Sequence, residues 1–175
     1  MSALPNPLDY SGKTVLVTGG GVGIGRGIAE AFANAGATLI IAEIDADRAA
    51  DVQAAIPGAH VVICDVLDRA TPALLVEKVK AVSGKLDVLV NNVGHFVHAL
   101  PFAMLGGDQI DEILDVNIGQ LLRMTSTMLP MLRAAAPGSS VINVTSIEAY
   151  RGIPYCTVYA AAKAGIAGFT KSLAL

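Results

Sequence analysis

Short runs of branched apolar residues recur along the chain, separated by longer stretches in which apolar positions return every three or four residues. The runs are "KTVLVTG" (13–19), "ATLIIAEI" (37–44), "AHVVICDV" (59–66), "LDVLVNN" (86–92) and "SVINVTS" (140–146). Their apolar residues are nearly continuous rather than alternating, as in strands of a parallel sheet covered by helices on both faces. The stretches between them predict helices. One over 24–35 ends at Gly36, a residue suited to a helix C-terminus. A second is capped by Asp45 or Asp47 and ends near Pro57. A third opens at Thr71, with Pro72 in its first turn. Positions 108–136 read as one long helix with Pro130 inside it, where a kink or a division is expected. The last begins near Thr157 and runs to the end. Strands alternating with helices imply right-handed crossovers and a doubly wound α/β sheet in three layers. There is no internal repeat, low-complexity tract or linker, so residues 1–175 form a single expected domain.

Composition adds little to that picture but excludes several classes. The chain is 53% hydrophobic and only 15% charged, with a mean hydropathy of +0.58. Charges nevertheless interrupt every apolar run before it reaches the length of a membrane span. The opening "MSALPNPLDY" lacks the basic-then-apolar order of a secretory leader. Cys64 and Cys156 match no metal or redox spacing and suit a reducing, cytoplasmic compartment. The net charge of −3 comes without basic clusters, which argues against nucleic acid or an anionic membrane as partner. His60, His95 and His98 match no zinc spacing, so no metal is expected. His95 and His98 follow the fourth strand at its ligand end and are candidate substrate contacts. Arg151 and Tyr155 read equally well as substrate contacts or as a solvated loop.

Candidate chemistry begins where the first strand runs into "TGGGVGIGRG" and a helix follows at once. The Gly-x-Gly-x-x-Gly dinucleotide fingerprint does not fit this turn. A wider one does, with Thr18, Gly19, Gly23 and Gly25 reading Thr-Gly-x-x-x-Gly-x-Gly. The physical demands are similar: a sharp exit from the strand, close approach of backbone to a pyrophosphate, and tight packing of helix on strand. The helix start then offers unpaired N–H groups to phosphates. A glycine-rich turn without a ligand is the alternative. About twenty residues on, the second strand ends in "IAEID". An acid there can accept the ribose hydroxyls of NAD and repel the 2′-phosphate of NADP. Glu43 is the candidate and Asp45 the competitor, each also readable as a solvated acid or a helix cap. Val22 gives the turn no cation for a 2′-phosphate, so NAD is favoured over NADP.

Near the end, "YAAAK" places Tyr159 and Lys163 four apart on a helix, hence on one face. The spacing alone carries little. Its weight comes from position, because this helix follows the fifth strand, and ligands of such sheets sit outside the carboxyl ends of the strands. Ser146 stands at that end. A neighbouring ammonium favours a phenolate, so Tyr159 is suited to take a proton from an alcohol or return one to a ketone. Ser146 is placed to hydrogen-bond the substrate oxygen.

In these motifs, together with "CDV", "NNVG", "VNIG" and "NVTS", the chain resembles the short-chain dehydrogenase/reductase family from about Gly12 onward. The resemblance implies a Rossmann-type fold with strand order 3-2-1-4-5. It implies a catalytic set of Asn117, Ser146, Tyr159 and Lys163, with Asn117 fixing a water in the proton relay and Lys163 also holding the nicotinamide ribose. It implies cofactor contacts from Gly19, Gly23, Ile24, Gly25 and Glu43, from Asp65 and Val66 around the adenine, and from Asn92 and Gly94. The implied activity is NAD-linked hydride transfer between the nicotinamide and a small secondary alcohol or ketone. A nucleotide-binding remnant without turnover is the rival reading. Members commonly pair as homodimers or homotetramers through the long helix and the Tyr–Lys helix, and they continue past that helix into further strands, so the chain is expected to be incomplete relative to the family. Val93, Ala162 and Glu43 depart from the residues usual at their positions. The first two should alter packing, and the third lengthens the ribose ligand by one methylene.

Overall fold

The computed structural model describes residues 8–175; most of the N-terminal lead, with the leader expectation attached to it, lies outside them. Five parallel strands, β1 (Thr14–Thr18), β2 (Thr38–Glu43), β3 (His60–Ile63), β4 (Val88–Asn91) and β5 (Ser140–Asn143), form one sheet. Their order is β3-β2-β1-β4-β5. The order reverses direction at β1, so a crevice opens beyond the carboxyl ends of β1 and β4.

The continuous apolar runs are explained by burial on both faces. Successive residues of each strand point to opposite sides. Leu16, Ile40 and Leu89 join one core with Leu75, Met124 and Met128. Val15, Val17, Ile41 and Val90 join the other with Ala29 and Val52. Helices α1 (Gly23–Asn34) and α2 (Ala46–Ala55) supply the second core's Ala29 and Val52. Helix α3 (Thr71–Val82) covers the first face, together with a helical rod over 107–134. The helix ends follow local chemistry: Asp45 caps α2 by accepting from Arg48 N–H at 2.9 Å, and Gly36 takes φ +87° just after α1.

The rod over 107–134 corrects one expectation. It divides into α4 (Gly107–Leu114), one π turn (Asp115–Gly119) and α5 (Gln120–Ala134), so the irregularity lies well before Pro130. Two buried amides organise the π turn. Asn117 Nδ2 donates to the Ile113 and His95 carbonyls, both at 2.9 Å, and Gln120 Nε2 donates to the Val93 carbonyl at 3.0 Å. Such single π turns are characteristic of functional sites. Helix α5 continues unbroken through Pro130; both Pro130 and Ser126, whose carbonyl loses its partner, lie on the exposed face, where water can take the place of the missing bond. The last helix, α6 (Thr157–Leu173), packs on α4, the π turn and a single 3-10 turn at Ile147–Ala149. Among the described residues no helix is long and apolar enough to cross a membrane.

Candidate active site

A cleft of about 680 Å³ lies along the carboxyl ends of β1, β2, β4 and β5. Its floor at one end is the glycine turn. Gly19 sits at φ +64°, a left-handed conformation that L side chains resist. At Gly25 a Cβ would come 2.1 Å from the Gly19 carbonyl oxygen, so helix and turn touch where no side chain fits. Thr18 and Asn92 lock the turn to β4. Thr18 Oγ1 accepts Asn92 N–H at 3.1 Å, and Asn92 Nδ2 donates to the Thr18 and Gly19 carbonyls at 3.0 and 3.1 Å. The N-cap of α1 is Val22, no side chain caps the helix, and its first turn carries no acid. The first-turn N–H groups therefore keep their capacity for an anionic ligand. This cradle fits a pyrophosphate.

Next to the turn, Glu43 closes β2. Its carboxylate faces the glycines: Oε2 accepts Gly21 N–H at 2.9 Å, and Oε1 accepts the N–H groups of Ile44 and Asp45 at 3.0 and 3.2 Å. Glu43 is 3% exposed, yet it lines the cleft, as do Asp65, Val66 and Arg48. Its competitor Asp45 is committed to capping α2. Asp65 Oδ1 accepts Leu67 N–H at 2.8 Å, which turns the chain under this end of the cleft. Cys64 also lines it, its thiol pushed up to about 11 by burial and by the Asp65 and Glu43 carboxylates.

At the other end Ser146, Tyr159 and Lys163 share the wall with Gly94 and His95. Lys163 Nζ donates to the Val144 carbonyl at 3.2 Å and lies 5.8 Å from the centre of the Tyr159 ring. Burial holds the Lys163 ammonium below its usual titration range. A Cβ at Gly94 would meet Lys163 Nζ at 2.6 Å and Asn117 Oδ1 at 3.1 Å, so the missing side chain keeps the backbone close to the lysine. Asn117 stands behind this wall, fully buried. Its Oδ1 accepts His95 N–H at 3.1 Å and its amide N–H groups go to the Ile113 and His95 carbonyls, so the side chain ties the loop at Gly94–His95 to the π turn. Phe96 meets the Tyr159 ring edge-on, centroids 5.5 Å apart, and fixes its tilt.

Of the thirteen residues to which the resemblance assigns a catalytic or cofactor role, eleven line this one cleft; Gly23 stands in the exposed turn with open space where a Cβ would lie, and Asn117 lies buried behind the wall at Gly94. Three contributors carry no sequence signal of their own. Phe96 and Gln120 act through contacts between segments distant in the chain. Glu148, two residues after Ser146, accepts a hydrogen bond from the Ser146 hydroxyl on Oε2. His98, by contrast, points to α4 and pairs with Glu112 at 2.6 Å.

Comparison with known proteins agrees with this architecture. The profile of the family described as short chain dehydrogenase matches residues 13–175. Galactitol 2-dehydrogenase of Agrobacterium fabrum is 38% identical over 96% of this chain and 66% of its own. A 2-dehydro-3-deoxy-L-rhamnonate dehydrogenase (NAD(+)) of Sphingomonas is 31% identical over 94% of this chain and 66% of its own. A 7α-hydroxysteroid dehydrogenase, solved with NADH and 7-oxo glycochenodeoxycholic acid, superposes with a TM-score of 0.89 at 28% identity, covering 95% of this chain and 66% of that one. The chain thus spans just under two thirds of the length of these relatives. By the profile match over residues 13–175 and the identity to these relatives, joined to its sheet order, glycine turn and Tyr–Lys wall, the chain belongs to the short-chain dehydrogenase family.

Proposed function

We propose that the protein is an NAD-linked oxidoreductase interconverting a small secondary alcohol and its ketone. The observation that carries this reading is the single cleft that joins a pyrophosphate cradle to a phenol, an ammonium and a hydroxyl. The nicotinamide cofactor would supply the hydride acceptor. The glycine turn and the start of α1 would hold its phosphates, Glu43 its adenosine ribose, Asp65 and Val66 the edge of its adenine, and Lys163 its second ribose. Tyr159 takes the alcohol proton as the hydride leaves, and the nearby Lys163 ammonium favours the phenolate that does so. Asn117 serves by pinning Gly94 and His95 against Lys163. The relatives named for galactitol and a deoxy-rhamnonate make polyhydroxylated compounds the first substrates to try.

The negative charge of Glu43 at the ribose end favours NAD over NADP, whereas Arg48, beside Glu43 at the same glycine and lining the same cleft, is a cation for a 2′-phosphate to exploit. Fluorescence titration with NADH and NADPH decides between them. Tighter NADH binding that collapses in Glu43→Ala supports the reading. Equal or inverted affinities overturn the NAD assignment, and failure to bind either nucleotide overturns the oxidoreductase. Self-association through α5 and α6 is part of the same proposal. Leu122 on α5 is 38% exposed, and Arg123 beside it keeps buried Nε and Nη2 groups without a partner among the described residues. A monomer in sedimentation at micromolar concentration would contradict it.

A further inference from the structure

Gly21 belongs to the glycine turn but not to its Thr18, Gly19, Gly23, Gly25 pattern, and it is buried. Its backbone takes no left-handed angle, so conformation does not call for a glycine there. Space does. A Cβ on Gly21 would lie 2.5 Å from Glu43 Oε2, 2.9 Å from Glu43 Cδ and 3.0 Å from Arg48 Cβ. Glu43 is not free to give way. Its Oε2 accepts Gly21 N–H at 2.9 Å, its Oε1 accepts Ile44 and Asp45 N–H at 3.0 and 3.2 Å, and the residue is 3% exposed. One carboxylate is thus held by backbone donors of two segments, the turn after β1 and the passage from β2 into α2.

The two oxygens of a carboxylate offer about four lone-pair sites. Oε1 spends both of its sites on Ile44 and Asp45, and Oε2 spends one on Gly21. What remains for a ligand in the cleft that Glu43 lines is a single acceptor site on Oε2. The reach of the side chain decides this arrangement. An aspartate at the end of β2 would stop one methylene short of Gly21, and a side chain at position 21 would occupy the place where the longer carboxylate now sits.

We propose that Gly21 and Glu43 act as a matched pair in cofactor recognition. Gly21 is a positioning residue: by lacking a side chain it seats the longer acid on the turn. Glu43, so seated, latches the glycine turn to β2 and offers the adenosine ribose one acceptor rather than two. The inference rests on the dinucleotide reading above and deepens it. A turn latched before the cofactor arrives has less to order on binding, so Glu43 serves the phosphate end of the cofactor as well as the ribose. The ribose is read through one hydroxyl at this carboxylate, and its neighbour finds its partners elsewhere.

The test is a fluorescence titration with NADH and needs no turnover. Gly21→Ala and Glu43→Asp should each weaken NADH by about tenfold, the worth of one hydrogen bond to a charged group. Both lose the same contact, and the alanine methyl fills the space that the shorter acid leaves, so the double variant should bind no more weakly than either single one. Losses that multiply to about a hundredfold, or a Gly21→Ala variant that binds NADH unchanged, overturn the pairing. The ribose is probed with NADH carrying a 2′-deoxy or a 3′-deoxy adenosine. Removing one of the two hydroxyls should cost about tenfold in the unmodified protein and nothing in Glu43→Ala, whereas removing the other should cost the same in both. Coupling of Glu43 to both hydroxyls, or to neither, overturns the single acceptor. Amide exchange reads the latch without any ligand and without altering Gly21: the Gly21 amide should exchange faster in Glu43→Ala than in the unmodified protein, and equal rates overturn the inference. A protein that binds neither NADH nor NADPH overturns the dinucleotide reading and this inference with it; tight NADH binding with multiplying losses overturns this inference alone.

Discussion

Lys163 keeps its ammonium where little water reaches it, 3% exposed with the Val144 carbonyl as an acceptor. Burial favours the neutral amine, so the folded-state pKa lies below the reference value of 10.5. The sign follows directly. The unfolded chain binds the proton more tightly, so stability rises as pH climbs from the folded pKa toward the unfolded one. Below that window the full cost of the buried charge is present. Lys163→Met should therefore melt at higher temperature than the unmodified, ligand-free protein at neutral pH, and the difference should narrow as pH rises toward 10. Loss of nicotinamide binding in the same variant would show that the strain is kept for function. A lower melting temperature for Lys163→Met would mean that the ammonium is a structural tie. Glu43 teaches a related lesson. Its place at the end of β2 was legible from the chain, but the turn of its carboxylate onto Gly21 was not, because that contact depends on how the glycine turn folds back over β2.

At the scale of elements, the rod over 107–134 joins local propensity to tertiary demand. Pro130 costs α5 a hydrogen bond without ending it. Alanine is favoured over proline in a helix interior by about 3 kcal/mol, and the stiffer unfolded chain of the proline form returns about 1 kcal/mol. With Pro130 on the wet face, Pro130→Ala should stabilise by about 1–2 kcal/mol in urea denaturation, with no effect on nicotinamide binding. Asn117→Ala should do the reverse. It strips the His95 and Ile113 carbonyls of their donors and His95 N–H of its acceptor, at about 1–3 kcal/mol for a buried polar group left unsatisfied, and it loosens the loop at Gly94. The five strands were legible because a buried parallel strand has to be an unbroken Val/Ile/Leu run. The π turn was not. Proline announces itself in a sequence, whereas an amide that turns back on its own helix looks like any other polar residue until the chain segment it holds, Gly94–His95, is in place.

For the whole molecule, β5 is one of the two outer strands: it pairs with β4 along one side, and Ile142 is 41% exposed beside a groove of about 820 Å³ lined by Tyr10, Ile28 and Phe32. An apolar strand with a free side is a template for pairing. Prepared as these 175 residues, the protein should associate as concentration rises, and Ile142→Lys should reduce that association in sedimentation velocity runs; concentration-independent behaviour would show the edge to be protected. The same sheet sets the site, since the reversal of strand order at β1 opens the crevice and the Tyr–Lys helix returns from β5 to close it. The central claim is that Tyr159 moves the proton in this crevice. Its most direct measurement is turnover of a responsive alcohol by the full-length protein and by Tyr159→Phe, with NADH affinity measured alongside. The phenylalanine keeps the ring that Phe96 packs against and removes the proton. We expect kcat to fall by about 10²–10⁴ with NADH affinity nearly unchanged. A variant that retains more than a small fraction of kcat would place the acid–base group elsewhere and contradict the account.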